Sequence, residues 1–418
     1  MQNVSRYSGL STTPKAEMKI QHRQSLFAYI TCMLCYLLGG TVSTLMSVYL
    51  PVAIPELLQR AVTEQELGEI GAYLSSSSIL GWMIGGLVLG VVSDKFGRIK
   101  TLAFATALYG FFTLLVVFVH DWQVLLVYRF FAGMGIGGVL LVSTVYISEI
   151  WKESNRPIML GILAVAFPIG IVLTGGLNVI FDYWKNAFWL GILPLTLALI
   201  TLFFLPESEK WKQMQGVDNQ IFKNLFLQEN RRSLFYGSAI FGSVLVGLWG
   251  IFSWLPTWVQ SLLDNTSDGQ TERGLTMVLL GVGGIVGGSL SGFLIQKLGA
   301  IKTLMLTFGG CMLACCILFL TNTYFSPIIY AEIAFLTLFL GVSQGALSSY
   351  IPALFPVNIR ASATGFCFNI ARFFTATAVF FVGNLVTFFC GFSNALLSFS
   401  VFFVLAIIAT YYSSRSSK

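Results

Sequence analysis

Apolar and polar positions follow one another along this chain in long blocks, not in the short alternation of a half-buried strand. Each apolar block is long enough to cross the roughly 30 Å hydrocarbon core of a bilayer as a helix, which takes about 20 residues. The blocks predict twelve membrane-spanning helices, numbered spans 1 to 12, over residues 27–54, 70–92, 101–119, 124–148, 158–180, 187–205, 235–261, 275–296, 303–321, 327–349, 362–388 and 393–412. The loops between them are too short for a thirteenth.

The longest polar stretch lies in the middle of the chain and divides the spans into two sets of six. A charged turn between spans 2 and 3, residues 90–100, returns in weaker form at residues 292–302, which is 202 residues later. Two similar halves around a central site are typical of transporters that expose the site to each side of the membrane in turn. The predicted organisation is an N-terminal tail, a six-helix bundle, a linker, a second six-helix bundle and a C-terminal tail, over residues 1–26, 27–205, 206–233, 234–412 and 413–418.

Composition and charge support a membrane protein and set its orientation. Of the 418 residues, 56% are hydrophobic and only 10% are charged, whereas soluble domains carry about 25% charged residues. With both termini inside, the inside segments hold 19 of the 24 Lys and Arg residues, and the outside loops hold only Arg60, Lys185 and Arg273. Because cytoplasmic loops are rich in Lys and Arg, we expect cytoplasmic tails and, in a bacterium, the inner membrane. The net charge of +6 is dispersed over loops, which argues against a nucleic-acid partner.

The residue types that enzymes need are scarce in this chain. The two histidines, His22 and His120, lie outside the predicted spans, and we interpret the seven cysteines as small apolar residues within them. The sequence has no Gly-x-x-x-x-Gly-Lys-Ser/Thr loop for the phosphates of ATP. We therefore expect no enzyme activity, no cofactor and no metal site.

Three motifs resemble those of the major facilitator superfamily. The turn after span 2 matches the superfamily signature at its key positions, which are Gly90, Asp94, Lys95, Gly97, Arg98 and Lys100. The others are Arg129-x-x-x-Gly133-x-Gly135-x-Gly137 in span 4, and Glu149 with Arg156 seven residues later, as in sugar-porter-like branches. The resemblance implies an all-α membrane protein with twelve transmembrane helices in two pseudo-symmetric six-helix bundles, the major facilitator fold. It also implies a monomer in the lipid bilayer.

Two further segments resemble one branch of that superfamily, the metabolite:proton symporters. They are Pro206–Trp211 after span 6 and Leu354–Arg372 leading into span 11. The resemblance implies a carrier of sialic acid, aromatic acids or related carboxylates. Those relatives carry acidic residues in span 1, whereas this chain has no acid in span 1 before Glu56. The mechanism of proton coupling is therefore left open at this point.

The charged turn and the loop between spans 4 and 5 are predicted to form a conformational gate. Asp94 lies at the inner end of span 2, where it can pair with a basic residue or cap a helix, and Glu149 and Arg156 are spaced to bridge spans 4 and 5. We expect such pairs to lock the halves together when the site faces outward. In the second copy Gln296 replaces the acid and Ala300 the arginine, which places the main gate in the first half. The gate candidates are Gly90, Asp94, Gly97, Arg98, Glu149 and Arg156.

The substrate site is predicted around a charge in the middle of span 11. A charged side chain inside the bilayer costs at least about 2.5–3.5 kcal/mol and therefore usually has a role. The Arg372 guanidinium can bind a carboxylate with two hydrogen bonds, and Asn369 precedes it by one helical turn. The alternative is an arginine that is satisfied by helix carbonyls. The other predicted cavity residues, for which ordinary packing is the alternative, are Tyr36, Asn178, Trp249, Ser253, Trp254 and Gln344.

Three residues are candidates for proton coupling. Glu332 is the one carboxylate predicted clearly within a span, and partial burial would let it bind and release a proton near neutrality. Glu56, at the outer end of span 1, and Arg129, in the outer part of span 4, are the others. The alternatives are a solvated interfacial position for Glu332 and a packing role for Arg129.

Together these features predict a secondary active transporter that imports a small polar metabolite, a carboxylate or sugar acid, by alternating access and proton symport. The alternatives are a neutral sugar transporter and a drug or metabolite exporter of the same fold. Exporters of the superfamily carry a Gly-Pro-x-x-Gly-Gly element in span 5. Here Phe167-Pro168-Ile169-Gly170 lacks the leading glycine, which favours import.

Overall fold

The structure, a computed structural model, describes residues 14–151, 155–213, 226–263, 268–356 and 359–416. In these ranges twelve helical segments are long and apolar enough to cross a membrane. They are Arg23–Leu58, Glu64–Phe96, Arg98–Phe118, Trp122–Ile150, Ile158–Ile180, Trp184–Phe204, Gln228–Ser261, Gln270–Leu298, Ala300–Thr321, Ile328–Ala353, Ser362–Phe388 and Phe392–Arg415. The prediction of an all-α protein with twelve spans is confirmed, and these segments are spans 1 to 12 from here on.

Polar residues at the helix ends make several spans longer than the apolar blocks that predict them. Span 2 begins at Glu64 because Thr63 and Glu66 form a capping box. The Glu66 amide donates to the Thr63 hydroxyl at 3.2 Å, and the Thr63 amide donates to the Glu66 carboxylate at 3.4 Å. Arg60 forms an ion pair with the same carboxylate. Span 1 is part of a longer helix, Pro14–Leu58.

Several spans are not single α-helices. Span 3 is the helix Arg98–Leu115 followed by a 3-10 turn, Val116–Phe118, whereas span 6 starts with a 3-10 segment, Trp184–Gly191, before the helix Ile192–Phe204. Spans 7, 11 and 12 are each interrupted, and their helices are Gln228–Phe252 with Leu255–Ser261, Arg360–Phe380 with Val382–Phe388, and Phe392–Ser398 with Val401–Ser416. In span 7 the second helix restarts with Pro256 in its first turn, where the missing amide is tolerated.

Glycines bring spans 2 and 4 into direct backbone contact. A Cβ on Gly81 would overlap the Phe130 carbonyl of span 4, and a Cβ on Gly133 would overlap the Ser78 carbonyl of span 2. Small residues that let backbones approach closely are how helices associate in lipid. This packing fixes the relative positions of the side chains that spans 2 and 4 carry.

The spans alternate in direction, so the start of span 1 and the end of span 12 lie on one side of the bundle. We call this side the termini side and the opposite side the far side. The segment between spans 6 and 7 also lies on the termini side and contains a short helix, Glu209–Gln213, while residues 214–225 are outside the described ranges. The predicted limits of the tails, bundles and linker stay predictions.

Candidate functional site

The two halves meet along two seams, the first of which joins spans 2 and 11. From the far side inwards its contacts are Gly383 against Glu69, the Ser76 hydroxyl donating to the Ala376 carbonyl at 2.5 Å, and the Asn369 amide against Gly86. Beyond Asn369 the seam ends. Among the described residues, Gly365, one turn closer to the termini side, has no atom within 4 Å of its Cβ position, and Gly90 meets only Leu141 of its own half.

The second seam joins spans 5 and 8. Near the far side, Asn178 Nδ2 donates to the Gln270 carbonyl at 2.5 Å, and Gln270 Nε2 donates to the Asn178 carbonyl at 2.8 Å. Contacts continue as far as Pro168 against Gly284, near the middle of both spans. Beyond this point Gly287 meets only span 10 of its own half among the described residues. The other glycines there, which are Gly161, Gly288 and Gly292, have no described atom within 4 Å of their Cβ positions.

Both seams therefore close the far side and end near the middle of the bundle. Toward the termini side the described parts of the two halves separate, which leaves between them a vestibule that opens on that side. Its closed end lies where Asn369 meets Gly86 and Pro168 meets Gly284. A path that is closed on one side and open on the other is one of the two states that alternating access requires.

Arg372 lies at this closed end. Its Nη1 donates to the Phe368 carbonyl at 3.2 Å and to Asn369 Oδ1 at 3.3 Å. The guanidinium carbon lies 5.0 Å from the centre of a Trp82 ring of the other half, within the range of a cation–π interaction. Among the described residues no carboxylate pairs with Arg372, and no hydrogen bond uses its Nε or Nη2. The contacts with Phe368 and Asn369 therefore use only one of the three guanidinium nitrogens.

Aromatic rings from four spans gather next to Arg372, and we call them the aromatic cluster. The Trp82 ring centre lies 5.6 Å from that of Phe167 and 5.7 Å from that of Trp249. The Tyr36 ring packs edge-on against Phe167 at 6.4 Å. The structure thus brings together the predicted residues Arg372, Asn369, Tyr36 and Trp249.

Sequence reasoning missed two members of this cluster, Trp82 and Phe167. Aromatic residues make up 15% of the chain, so an aromatic side chain alone is a weak signal. One signal was available for Trp82, which lies between Gly81 and Gly85 in a stretch of small residues. Glycines let neighbouring helices pack closely, so a large indole ring among them is unusual. The spacing does not show which way the ring points.

Two predicted cavity residues lie in the far-side closure and not beside Arg372. Asn178 forms the amide pair with Gln270 described above. Trp254 is fully buried, where it packs against Gly71 of span 2 and lies 5.7 Å from the Phe392 ring. Gln344 is half-buried on span 10, and its Nε2 is buried without a hydrogen-bond partner among the described residues. The binding roles of these three residues stay predictions.

The two carboxylates named as coupling candidates are engaged locally. Glu332 accepts a hydrogen bond from Asn322 Nδ2 at 2.5 Å, at the far ends of spans 9 and 10. Glu56 accepts from the Tyr183 hydroxyl at 2.9 Å and from Trp184 Nε1 at 2.7 Å, and it lies 3.6 Å from Lys185 Nζ. Neither contacts Arg372. In the described ranges no group of three or more His, Cys, Asp or Glu residues could hold a metal ion.

The third coupling candidate, Arg129, is buried between spans 1, 2 and 4. It donates to the carbonyls of Val42 and Ser43 at 2.9 and 3.1 Å and to the Ser78 hydroxyl at 3.3 Å. Its Nε has no hydrogen-bond partner among the described residues. Arg129 therefore sits one layer further towards the far side than Arg372, behind the aromatic cluster.

The predicted gate residues form an ion network inside the first half. Arg98 Nη1 lies 2.5 Å from Asp94 Oδ1, and Arg98 Nη2 lies 2.9 Å from Glu149 Oε1. The network joins the termini-side ends of spans 2, 3 and 4, and among the described residues it does not cross to the other half. Gly90 packs against Leu141 of span 4, and Arg156 begins the helix of span 5. The bridge between Glu149 and Arg156 stays a prediction.

Glu207 completes this network, although sequence reasoning gave it no role. Its carboxylate accepts from the Arg98 amide at 2.9 Å and from the Ile99 amide at 3.2 Å, so it caps the start of span 3. Gly97, with φ of +110°, leaves the space for this carboxylate, because a Cβ there would overlap Glu207 Oε2. The Trp211 indole donates to the Asp94 carbonyl at 2.7 Å. The segment after span 6 is thus bound to the charged turn.

Two helical halves that enclose a one-sided vestibule, with a charge at its closed end, define a transporter of the alternating-access class. The chain belongs to the Major Facilitator Superfamily, whose family profile matches residues 32–379. The family prediction is therefore confirmed. The chain is a multi-pass membrane transporter and not an enzyme.

Similarity to individual proteins agrees with this assignment. The chain is 28% identical to a cis,cis-muconate transport protein of Acinetobacter baylyi, over 75% of this chain and 78% of that one. It is 25% identical to a 3-(3-hydroxy-phenyl)propionate transporter of Escherichia coli, over 75% and 77% of the two chains. The fold matches the crystal structure of a D-xylose-proton symporter with a TM-score of 0.74 at 17% identity, covering 93% of this chain and 97% of the other.

Proposed function

We propose that this transporter imports a small organic anion, a carboxylate or sugar acid, by proton symport across the inner membrane of a bacterium. The observation that carries the proposal is Arg372, a guanidinium without a carboxylate partner among the described residues at the closed end of the vestibule. A half-buried cation inside a helical bundle is best compensated by an anion that arrives and leaves. The similarity to carriers of organic acids supports the same substrate class.

The contacts around Arg372 suggest how an anion would be held. Nε and Nη2, which no described residue uses, form one edge of the guanidinium and can donate two parallel hydrogen bonds to a carboxylate. Asn369 holds the other edge in place and adds an amide. The aromatic cluster offers flat apolar faces to the carbon skeleton of the substrate. Tyr36 adds one more aromatic face through its contact with Phe167.

The orientation follows from the distribution of Lys and Arg. Most of them lie on the termini side, which we assign to the cytoplasm. The vestibule then opens to the cytoplasm, so the structure corresponds to an inward-facing state of a monomer in the lipid bilayer. The Asp94–Arg98–Glu149 network would act as the gate at this face when the halves close there, as the superfamily motif implies.

Proton coupling involves residues outside the contacts of Arg372. Glu332 and Glu56 are the predicted proton carriers, and both are hydrogen-bonded at the far ends of their spans. Arg129 lies closer to the centre and would influence coupling through the buried charge that it carries. Symport predicts that an inward proton gradient drives uptake above equilibrium. Equal uptake with and without the gradient would instead indicate facilitated diffusion or exchange.

Uptake by proteoliposomes tests the substrate class. The panel contains labelled aromatic monocarboxylates, a sialic acid and a neutral hexose, each with and without an imposed pH gradient. We expect uptake of at least one anion, which Arg372→Gln abolishes and Arg372→Lys reduces strongly, because Lys keeps the charge but lacks the two parallel donors. Arg360→Gln, at the start of span 11 and outside the site, is the matched control and should transport normally. Uptake of the hexose that Arg372→Gln leaves intact would contradict the anion assignment, and drug resistance conferred by expression would indicate an exporter.

A further inference from the structure

A small cavity lies behind the aromatic cluster, towards the far side. It has a volume of about 20 Å³, which is room for one water molecule or one monatomic ion of similar size. Spans 1, 2, 4 and 7 enclose it. Its polar lining consists of Arg129 and five serines, which are Ser43, Ser47, Ser75, Ser78 and Ser253.

Several donors of this cavity have no partner in the described part of the protein. No hydrogen bond to a described residue involves the hydroxyls of Ser47, Ser75 or Ser253. Ser47 and Ser253 are buried, with 6% and 3% of their surface exposed. Buried polar groups almost always have a hydrogen-bond partner. The unused hydroxyls therefore indicate an occupant that accepts hydrogen bonds.

The charge of the cavity selects the kind of occupant. Arg129 is buried, and no described carboxylate pairs with it. Its own partners are neutral oxygens of spans 1 and 2. A site with a guanidinium, several hydroxyl donors and no carboxylate favours an anion over a neutral water or a cation. We propose that this cavity binds a single chloride-sized anion.

The position of the cavity links anion binding to the conformational cycle. Spans 1, 2 and 4 belong to the first half, whereas Ser253 and Trp249 come from span 7 of the second half. The cavity is complete only while the far side is closed, because separating the halves there removes one wall. An anion that binds only to the closed form stabilises it by mass action. Chloride would therefore favour the state with the far side closed, independently of the substrate.

Thermal unfolding of the purified full-length protein tests the proposal without relying on transport. We expect the unfolding midpoint to rise and saturate with chloride or bromide when each replaces gluconate at constant ionic strength. The double variant Ser47→Ala, Ser253→Ala keeps Arg129 and should raise the half-saturating chloride concentration about 100-fold, since it removes two donors to a charged acceptor. Ser289→Ala is the matched control, because the exposed Ser289 hydroxyl binds only its own helix at Ile285.

A crystal grown in bromide provides the direct measurement. An anomalous peak between Arg129 and Ser253 would support the site. No halide dependence and no peak would overturn the proposal and leave a single water as the occupant. A halide effect that survives in the serine double variant but disappears in Arg372→Gln would also overturn it, because the anion would then occupy the substrate site.

Discussion

The charged turn after span 2 and its counterpart after span 8 have nearly the same backbone but different surroundings. Each consists of a glycine between two consecutive helices. Gly97 has φ of +110° and ψ of +155°, and Gly299 has φ of +80° and ψ of +156°. Positive φ is readily adopted only by glycine, so the duplicated glycine preserves the shape of the turn in both halves.

The ion pairs and helix-capping contacts around the two turns differ. In the first, Arg98 is held by Asp94 and Glu149, and Glu207 caps the following helix. In the second, no described atom lies within 4 Å of the Cβ position of Gly299, and one of the two lysines of that turn, Lys297, rests over the Phe293 ring at 4.8 Å. The comparison shows that the turn is a structural element in both halves, while the ion network is an addition confined to the first.

The largest difference between the turns should appear when their basic residues are removed. Arg98→Ala leaves Glu149 buried without its partner, and we expect a loss of about 3 kcal/mol in the free energy of unfolding. Lys297→Ala removes an exposed cation–π contact and should change it by about 0.5 kcal/mol. Chemical unfolding in mixed micelles measures both. If the two substitutions had equal effects, the claim that the ion network stabilises only the first turn would be wrong.

Alanine substitutions of the two turn glycines should differ by a smaller amount in their effect on the free energy of unfolding. Gly97→Ala combines the strain of a positive φ with the displacement of Glu207, so we expect a loss of about 2–3 kcal/mol. Gly299→Ala meets open space and should cost only the backbone strain, about 1 kcal/mol. The same unfolding assay compares them. If Gly299→Ala were the more damaging of the two, contacts around the second turn would have been missed.

Removing the charge that caps span 3 should lower the free energy of unfolding by less than the changes at Arg98 and Gly97. Glu207→Gln keeps a hydrogen-bond acceptor but removes the negative charge at the helix start, which should cost about 1 kcal/mol. Glu209→Gln, on the exposed helix that follows, is the matched control and should be neutral within about 0.5 kcal/mol. High salt should narrow the difference, because it screens the charge. A neutral Glu207→Gln would show that the two amides find water as readily as the carboxylate.

Asp94 should have the smallest effect on stability. Its side chain is 71% exposed, and Asp94→Asn should cost about 0.5 kcal/mol at most. A gate role instead predicts a change in conformation. A cysteine introduced at the exposed Gly292, on the same face of span 8 as Gly284, should be labelled faster by a charged maleimide in the Asp94→Asn background. An unchanged labelling rate together with unchanged transport would remove Asp94 from the gate.

The apolar blocks of the sequence were sufficient to predict the spans, because twenty apolar residues have few alternatives to crossing a bilayer. They were not sufficient to predict which way each side chain points. In a membrane the lipid-facing and buried sides of a helix are both apolar, so the sequence locates a residue by depth but not by direction. Asn178 and Trp254 illustrate this, since their depth is compatible with a cavity and the structure places them in the far-side closure.

Arg372 and Asn369 were predictable for the opposite reason. A charge in the middle of a span has no stable position facing lipid, so its depth alone determines that it points inward. The neighbouring amide follows from helical spacing. Glu207 was missed because its role depends on the fold of the segment after span 6 back onto span 3, a contact that no local pattern encodes.

The central claim is that Arg372 binds the carboxylate of the substrate at the closed end of the vestibule. Equilibrium binding of the transported anion to purified wild-type and Arg372→Gln protein tests it most directly. Loss of two charge-assisted hydrogen bonds predicts binding about 100-fold weaker or more in the variant, with an unchanged unfolding midpoint. Equal affinity in the two proteins would contradict the claim and place the anion elsewhere.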